Sequence, residues 1–517
     1  MTAEERQNWV IFAIVLGLVA VILVHNRARG SRALKIVDQP QLAETEVKCA
    51  ERDLLERERE SRELDLLERE RESRERERLI SEREALWARR LDASEEHVVD
   101  AKFSPDIHPR SSIIPRNYVR PATNSTVSYA LSFTQAKLRA AYIDSSYYAP
   151  SAPFLLGAGC AIAIVVAYPY SGLMADCQQA LGISSNEPAK AALSARLSIH
   201  ALNNTAAKGP APPASTVRGW YLEHAMDAQV ILSMCPGARV HVVQAFDASL
   251  RAMTEAVQYA KTLSDVKVIN MSWGMVAYPC EVSVAPNFGG QMAGVYDVPG
   301  SCASDTMFDD DSIIFTGAAG DNGSSTGWPM AHNNVVSVGG TTLSVIGSSA
   351  GTTYSETGWV GSGGGADPYY AINDTQKSYF NWKGASVPRR ACPDISADAD
   401  PRTGVEIFCK GYQNVPFWRK YIVGGTSLSA PIISSIICAA NSIRHAASAS
   451  RPKVTRSEFL SFIYNSANAT KLVDVTKSGI GSDSPSYFRC GLGYDCVTGV
   501  GSPTTAFLPA LAANDLP

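Results

Sequence analysis

The chain has 517 residues, 45% of them hydrophobic and 19% charged, enough to bury a large core and hold one big domain with extensions. Its formal net charge of -4 gives no basic excess, which argues against nucleic acid as a partner and against attraction of the whole protein to anionic lipid.

The first feature along the chain is a stretch without formal charge, residues 7–26, containing WVIFAIVLGLVAVILV. That is enough helix to cross a hydrocarbon core of ~30 Å. Residues 1–30 therefore read as a single-pass membrane anchor. The alternative is a cleaved signal peptide, but the apolar run is long and no small-x-small site follows it. Arg27, Arg29, Arg32 and Lys35 outweigh the positive charge on the other side, which favours a cytosolic C-terminal side. Eleven cysteines, ten of them after residue 159, and Asn-x-Ser/Thr triplets at Asn124, Asn203, Asn373 and Asn468 favour a lumenal or extracellular one. The second set of signals is the reading adopted.

Residues 43–92 are dominated by Glu, Arg and Leu, and DLLERERESRE at 53–63 recurs at 65–75. Dense opposite charges at i,i+4 spacing predict a long solvated helix, a stalk rather than a coiled coil, because the Leu pairs sustain no heptad seam. Self-association through this helix is the alternative. Prolines between 104 and 121 end it. The division expected is an anchor at 1–30, a charged helical stalk and linker at 31–118, and a globular domain at 119–517.

Within that domain, short β-rich runs alternate with helical stretches: CAIAIVVAY (160–168), ARVHVVQAF (238–246), VKVINMSWG (266–274), SIIFTGAAG (312–320) and NVVSVGGTTL (334–343). Runs apolar on both faces with helices between them predict a buried parallel sheet in an α/β fold, with chemistry at the carboxyl ends of the strands. Between the first two runs, VRGWYLEHAMDAQVIL (217–232) predicts an amphipathic helix with Glu223 and Asp227 on one face. Such a pair is either a solvated acidic face or a coupled acid/base unit in a cleft. Asp321 follows a strand, in a loop whose Asp-Asn-Gly is also ordinary turn chemistry.

The segment YIVGGTSLSAPIIS (421–434) predicts a strand turning into a helix, with Ser427 at the opening. There the free N–H groups and helix dipole favour developing negative charge, although Thr426 or Ser427 could equally serve as an N-cap. None of the eight histidines is followed by glycine, and position 429 is Ser, so neither a His-Gly motif nor a G-x-S-x-G elbow is present. A carboxylate base is left.

Taken together, YLEHAMDAQ, INMSWG, GAAGDNG, SGGGADPYY, PDISADADPRTG, GGTSLSAP and GLGYDCVTGVGSP resemble, in order, the motifs of the sedolisin family of serine-carboxyl peptidases from about residue 129 onward. The resemblance implies a subtilisin-like, doubly wound parallel sheet and hydrolysis of polypeptides. On matching positions it implies Ser427 as nucleophile, Glu223 as base, Asp227 as its orienting partner and Asp321 as a protonated oxyanion donor. Ser429 is left with a packing role. Because Glu223 must be ionised while Asp321 is protonated, activity is expected in acid. The resemblance further implies one calcium ion on the Asp474 and Asp495 carboxylates and the carbonyls of Val475, Gly491 and Gly493, all hard oxygen donors. Cys490 and Cys496 bracket that loop and could bridge. Family members commonly carry a globular pro-domain, whereas residues 1–118 read as anchor, charged helix and linker. The competing expectations are a silent membrane-anchored pseudopeptidase acting as a binding or scaffold module, and a subtilase with His224 as base.

Overall fold

The computed structural model describes residues 108–109, 112–114, 133–203, 213–275, 306–323, 326–348, 351–380, 389–412, 418–478 and 489–514. The expected anchor at 7–26 and charged helix at 43–92 lie outside these residues. All described residues belong to one compact unit, Val98–Pro517.

In chain order the elements that position the site are α1 (Gln135–Tyr142), β1 (Ala161–Ala167), α2 (Leu173–Ala180), α3 (Glu187–Ser194), β2 (Leu197–Ala201), α4 (Ala214–Met234), β3 (Arg239–Ala245), α5 (Leu250–Thr262), β4 (Val266–Met271) and β5 (Ile314–Ala318). They continue with β6 (Val335–Ser348), β7 (Gly351–Gly358), β8 (Gly365–Ala371), β9 (Arg389–Cys392), β10 (Ile395–Asp398), β11 (Val405–Phe408), β12 (Lys420–Gly424), α6 (Thr426–Ala447), α7 (Arg456–Ile463) and α8 (Phe507–Ala513).

The main sheet has the strand order β7-β6-β5-β4-β1-β3-β2, with β10 added in parallel to β6. β1 through β6 pair in parallel, and β7 returns antiparallel along β6. The five β-rich runs expected from the sequence all lie in this sheet, as β1, β3, β4, β5 and β6. Every residue of β1 is buried, as its unbroken Ala, Ile and Val content requires of a strand covered on both faces. β1 leads to β2 and β3 on one side, and the chain then crosses to β4 on the other. The order reverses between β1 and β4, the place where a crevice opens at the carboxyl ends of such a sheet.

α4 and α6 pack on each other and against the sheet, while α5 packs on β1, β3 and β4. α4 differs from the expected amphipathic helix: from Leu222 to Met234 every residue is buried, Glu223 and Asp227 included. A helix enclosed on all sides is a core helix, so its carboxylates are not a solvated face. α6 is the same kind of element, buried from Thr426 through Ser442. It is the one helix among the described residues long and apolar enough to span a membrane, yet 94% of that window is buried inside the protein.

The globular unit also reaches further toward the N-terminus than the start expected at 119. Ser112–Ile114 pairs antiparallel with β12, and His108–Pro109 with Trp273–Gly274. Proline content suggested a linker there, but edge pairing tolerates proline.

Candidate active site

Three of the four candidate residues meet where α6 begins. β12 delivers the chain to Gly425, whose φ of +93° is a conformation glycine adopts without a Cβ penalty, and α6 starts at Thr426. Gly425 has no side chain to cap the helix. The cap comes from Asp321, whose Oδ1 accepts from the Thr426 N–H at 2.8 Å and from Thr426 Oγ1 at 2.9 Å. Thr426 Oγ1 in turn accepts from the Gly320 N–H at 2.9 Å. The loop after β5 is thus fastened to the residue preceding Ser427, and Asp321 stands half-buried at the positive end of the helix dipole.

Pro431 lies inside α6, four residues after Ser427. Having no N–H, it cannot complete the i→i−4 bond to the Ser427 carbonyl. Ser272, just past the end of β4, comes close, its Oγ 3.2 Å from that carbonyl. The Ser427 hydroxyl donates in the other direction, to the Ser272 carbonyl at 3.1 Å. Ser429 Oγ donates to the Thr426 carbonyl of its own helix at 2.9 Å, consistent with a local packing role.

Ser272 also reaches Asp227. Its hydroxyl donates to Asp227 Oδ1 at 2.8 Å, and Asn270 Nδ2 donates to Asp227 Oδ2 at 3.0 Å and to Ser272 Oγ at 2.9 Å. Asn270 Oδ1 accepts from Ser434 Oγ on α6 at 3.1 Å, and Ser434 shares a 2.7 Å bond with Thr316 of β5. The Trp273 indole N–H donates to the Val165 carbonyl at 2.9 Å, tying this segment to β1. Burial pushes the Asp227 carboxyl well above its ordinary value, and the donors from Ser272 and Asn270 pull it part of the way back. Glu223 is fully buried one turn earlier on the same helix.

His224 is not placed to act as base. Its Nε2 lies 2.8 Å from the Ala167 carbonyl, which can only accept, and Gln244 Nε2 donates to its Nδ1 at 3.2 Å. Burial lowers its pKa to about 4, so the imidazole is neutral over most of the acid range and both nitrogens are occupied.

The segments of the calcium expectation adjoin. Asp474 Oδ2 accepts from the Gly493 N–H at 2.9 Å. Asp495 is buried, with Oδ2 accepting from the Gly491 N–H at 3.2 Å and Oδ1 from the N–H groups of Val497 and Thr498 at 2.9 and 2.8 Å. Backbone N–H groups thus join the two loops at Asp474 and close the second loop on Asp495. Among the described residues no three His, Cys, Asp or Glu side chains converge as a metal site. No disulfide joins Cys490 to Cys496.

The polar network around Asp227 is what sequence reasoning missed. Its only signal was Asn270 and Ser272 as polar residues in and after an otherwise apolar strand.

The chain is similar to known proteins in sequence and in fold. Residues 206–486 match the profile described as "Subtilase family". Sedolisin of Pseudomonas sp. (strain 101) is 31% identical over 201 residues, which is 36% of this chain and 30% of that protein. Kumamolisin of Bacillus sp. (strain MN-32) is 28% identical over 243 residues, 42% of this chain and 38% of that protein. The chain thus spans well under half the length of these two curated relatives. The solved structure described as Pseudomonas sedolisin, a serine-carboxyl proteinase, complexed with two molecules of pseudo-iodotyrostatin superimposes with a TM-score of 0.52 at 25% identity, covering 73% of this chain and 97% of that one.

Proposed function

Since the chain belongs to the subtilase family, and within it to the sedolisins, we propose that it is an acid-active serine-type peptidase that hydrolyses polypeptides. Ser427 attacks the scissile carbonyl, Glu223 takes its proton and returns it to the leaving amine, and Asp227 holds Glu223. Asp321, protonated, donates to the oxyanion. The observation that carries the reading is the Asp227–Ser272–Ser427 connection together with Asp321 on the preceding Thr426.

Calcium, on this reading, binds at Asp474, Val475, Gly491, Gly493 and Asp495 and holds the two loops together without entering the chemistry. Anchoring through residues 7–26, with the peptidase domain in an acidic lumenal or extracellular space, belongs to the same proposal and rests on the sequence alone.

The test is a pH-rate profile on an unfolded protein substrate for the wild type and Ser427→Ala. Acid cleavage present in the first and absent in the second is expected. Equal rates, or none in either, end the peptidase reading, and a maximum above neutral pH ends the carboxylate mechanism. Product lengths distinguish internal cleavage from tripeptide release.

A further inference from the structure

The turn that delivers Ser427 rests on the end of β10. The Gly425 N–H donates to the Ala399 carbonyl at 2.5 Å, and a side chain at Gly424 would place its Cβ 2.5 Å from the same oxygen. Ala399 is held in turn, since its N–H and that of Asp400 both donate to the Thr341 carbonyl of β6, at 2.8 and 3.1 Å. Asp398, the last residue of β10, fastens this segment to its surroundings. Its N–H donates to the Tyr142 hydroxyl at the end of α1 at 2.7 Å. Its Oδ1 accepts from the Leu343 N–H of β6 at 3.2 Å and from Thr403 Oγ1 at 2.9 Å. Its other oxygen, Oδ2, is buried and has no hydrogen-bond partner among the described residues.

We propose that Asp398 is a positioning residue for the nucleophile: its neutral carboxyl keeps the Gly424–Gly425 turn in place, and loss of its proton lets the turn go. An ionised Oδ2 would stand in the core without a donor, which costs far more than a neutral carboxyl in the same place. The neighbours do not relieve that cost. Arg402 pairs with Asp400, its Nε lying 3.0 Å from both carboxylate oxygens. On β7 the Glu356 carboxyl takes the hydroxyls of Tyr142 and Thr341 on Oε1, each at 2.7 Å, so the Tyr142 proton is directed away from Asp398. Burial raises the Asp398 carboxyl well above its ordinary value, and the Asp400 and Glu356 charges raise it further, against donors from Thr403 and Leu343. The folded state therefore holds this proton more tightly than the unfolded chain does. The stability it gives the turn is complete below the ordinary carboxylate range of about 4 and is lost as pH rises through the raised value. The inference rests on the reading of Ser427 as nucleophile and adds to it an upper pH limit set outside the base and the oxyanion acid.

Amide hydrogen exchange on the full chain, read by mass spectrometry of the peptide holding residues 421–428, follows the turn without turnover, so its outcome is separate from that of the peptidase reading. After correction for the intrinsic rate, wild-type protection of this peptide should fall as pH rises from about 4 to about 9, while that of β1 holds. Asp398→Asn keeps an Oδ1 acceptor and does not titrate, so at the top of that range its turn should be at least about tenfold better protected than the wild type. Thr403→Val removes a donor that favours the ionised form and should move the decline to higher pH. Level wild-type protection across the range overturns the proposal without any variant having to fold. So does a decline shared equally by β1, which would be loss of the whole fold. An Asp398→Asn turn that declines like the wild type, or is less protected at every pH, overturns it too, the latter being the mark of a merely structural side chain.

Discussion

Ser272 Oγ lies 2.8 Å from Asp227 Oδ1 and 3.2 Å from the Ser427 carbonyl, so one hydroxyl joins the helix of the candidate base to the helix of the candidate nucleophile. Removing it has two consequences. Ser272→Ala leaves Asp227 with one side-chain donor, and the lost hydrogen bond predicts a fall in kcat/KM of up to about tenfold. Because the lost donor favours the ionised carboxylate, the acid limb of the pH-rate profile should move to higher pH. An unmoved limb with an intact melt would remove Ser272 from the proton-handling unit.

Asp321 caps α6 and, in the proposed mechanism, also donates to the oxyanion, two purposes that substitutions can separate. Asp321→Asn keeps an Oδ1 acceptor for Thr426 and carries an amide donor that does not titrate, so the alkaline limb of activity should extend upward. Asp321→Ala loses both, costing about 1 kcal/mol of helix capping and roughly a hundredfold or more in kcat. Thermal melts and steady-state kinetics on the pair check this, and an unchanged alkaline limb in the Asn variant contradicts the oxyanion role.

His224 and Glu223 are neighbours with opposite expectations. His224→Gln should lower the melting temperature, since the bonds to Ala167 and Gln244 are disturbed, while acid turnover stays near wild type. Glu223→Gln should reduce kcat by roughly 10² to 10⁴ with little change in melting. Reversal of this pattern would favour a histidine base.

Calcium binding is read through stability. Calcium at about 100 times its Kd should stabilise the fold by about 2.7 kcal/mol, and a chelator should remove that gain. Asp474→Ala should melt at the chelated wild-type temperature whether or not calcium is added. A wild-type melt indifferent to both calcium and chelator rejects the site.

Asp176 gives the fold its own pH dependence. Burial raises its carboxyl to about 6, against donors from Tyr170 at 2.5 Å and the Lys410 N–H at 3.0 Å. The folded state therefore holds this proton more tightly than the unfolded chain does. The stability it contributes is complete below the ordinary carboxylate range of about 4 and is lost as pH rises through about 6. Melting temperature should decline across that window, and Asp176→Asn should flatten the decline.

Much of this was legible in the sequence because it depends on local pattern. Unbroken β-branched runs announce buried parallel strands, and the absence of a His-Gly motif directs attention to Glu223 and Asp227. The Asn270, Ser272, Ser434 and Thr316 network was not legible, since its members come from three elements far apart in the chain and each alone is an ordinary polar residue. Pro431 leaves the Ser427 carbonyl without its helical partner, an effect that depends on where the helix begins. The amphipathic expectation for 217–232 missed that α4 is buried from Leu222 to Met234, packed against α6 and the sheet.

The cap on α6 also has a mechanical meaning. Asp321 and Ser427 move as one piece, because the acid is bonded to the residue before the nucleophile, while Glu223 and Asp227 ride on a different helix. A fluctuation that parts α4 from α6 would interrupt proton transfer yet leave the oxyanion donor aligned with the serine. Ser272 and Asn270 together cross that joint, the first reaching the Ser427 carbonyl and the second Ser434, so the precision of the proposed machine would be set less by its four headline residues than by the stiffness of a single strand end.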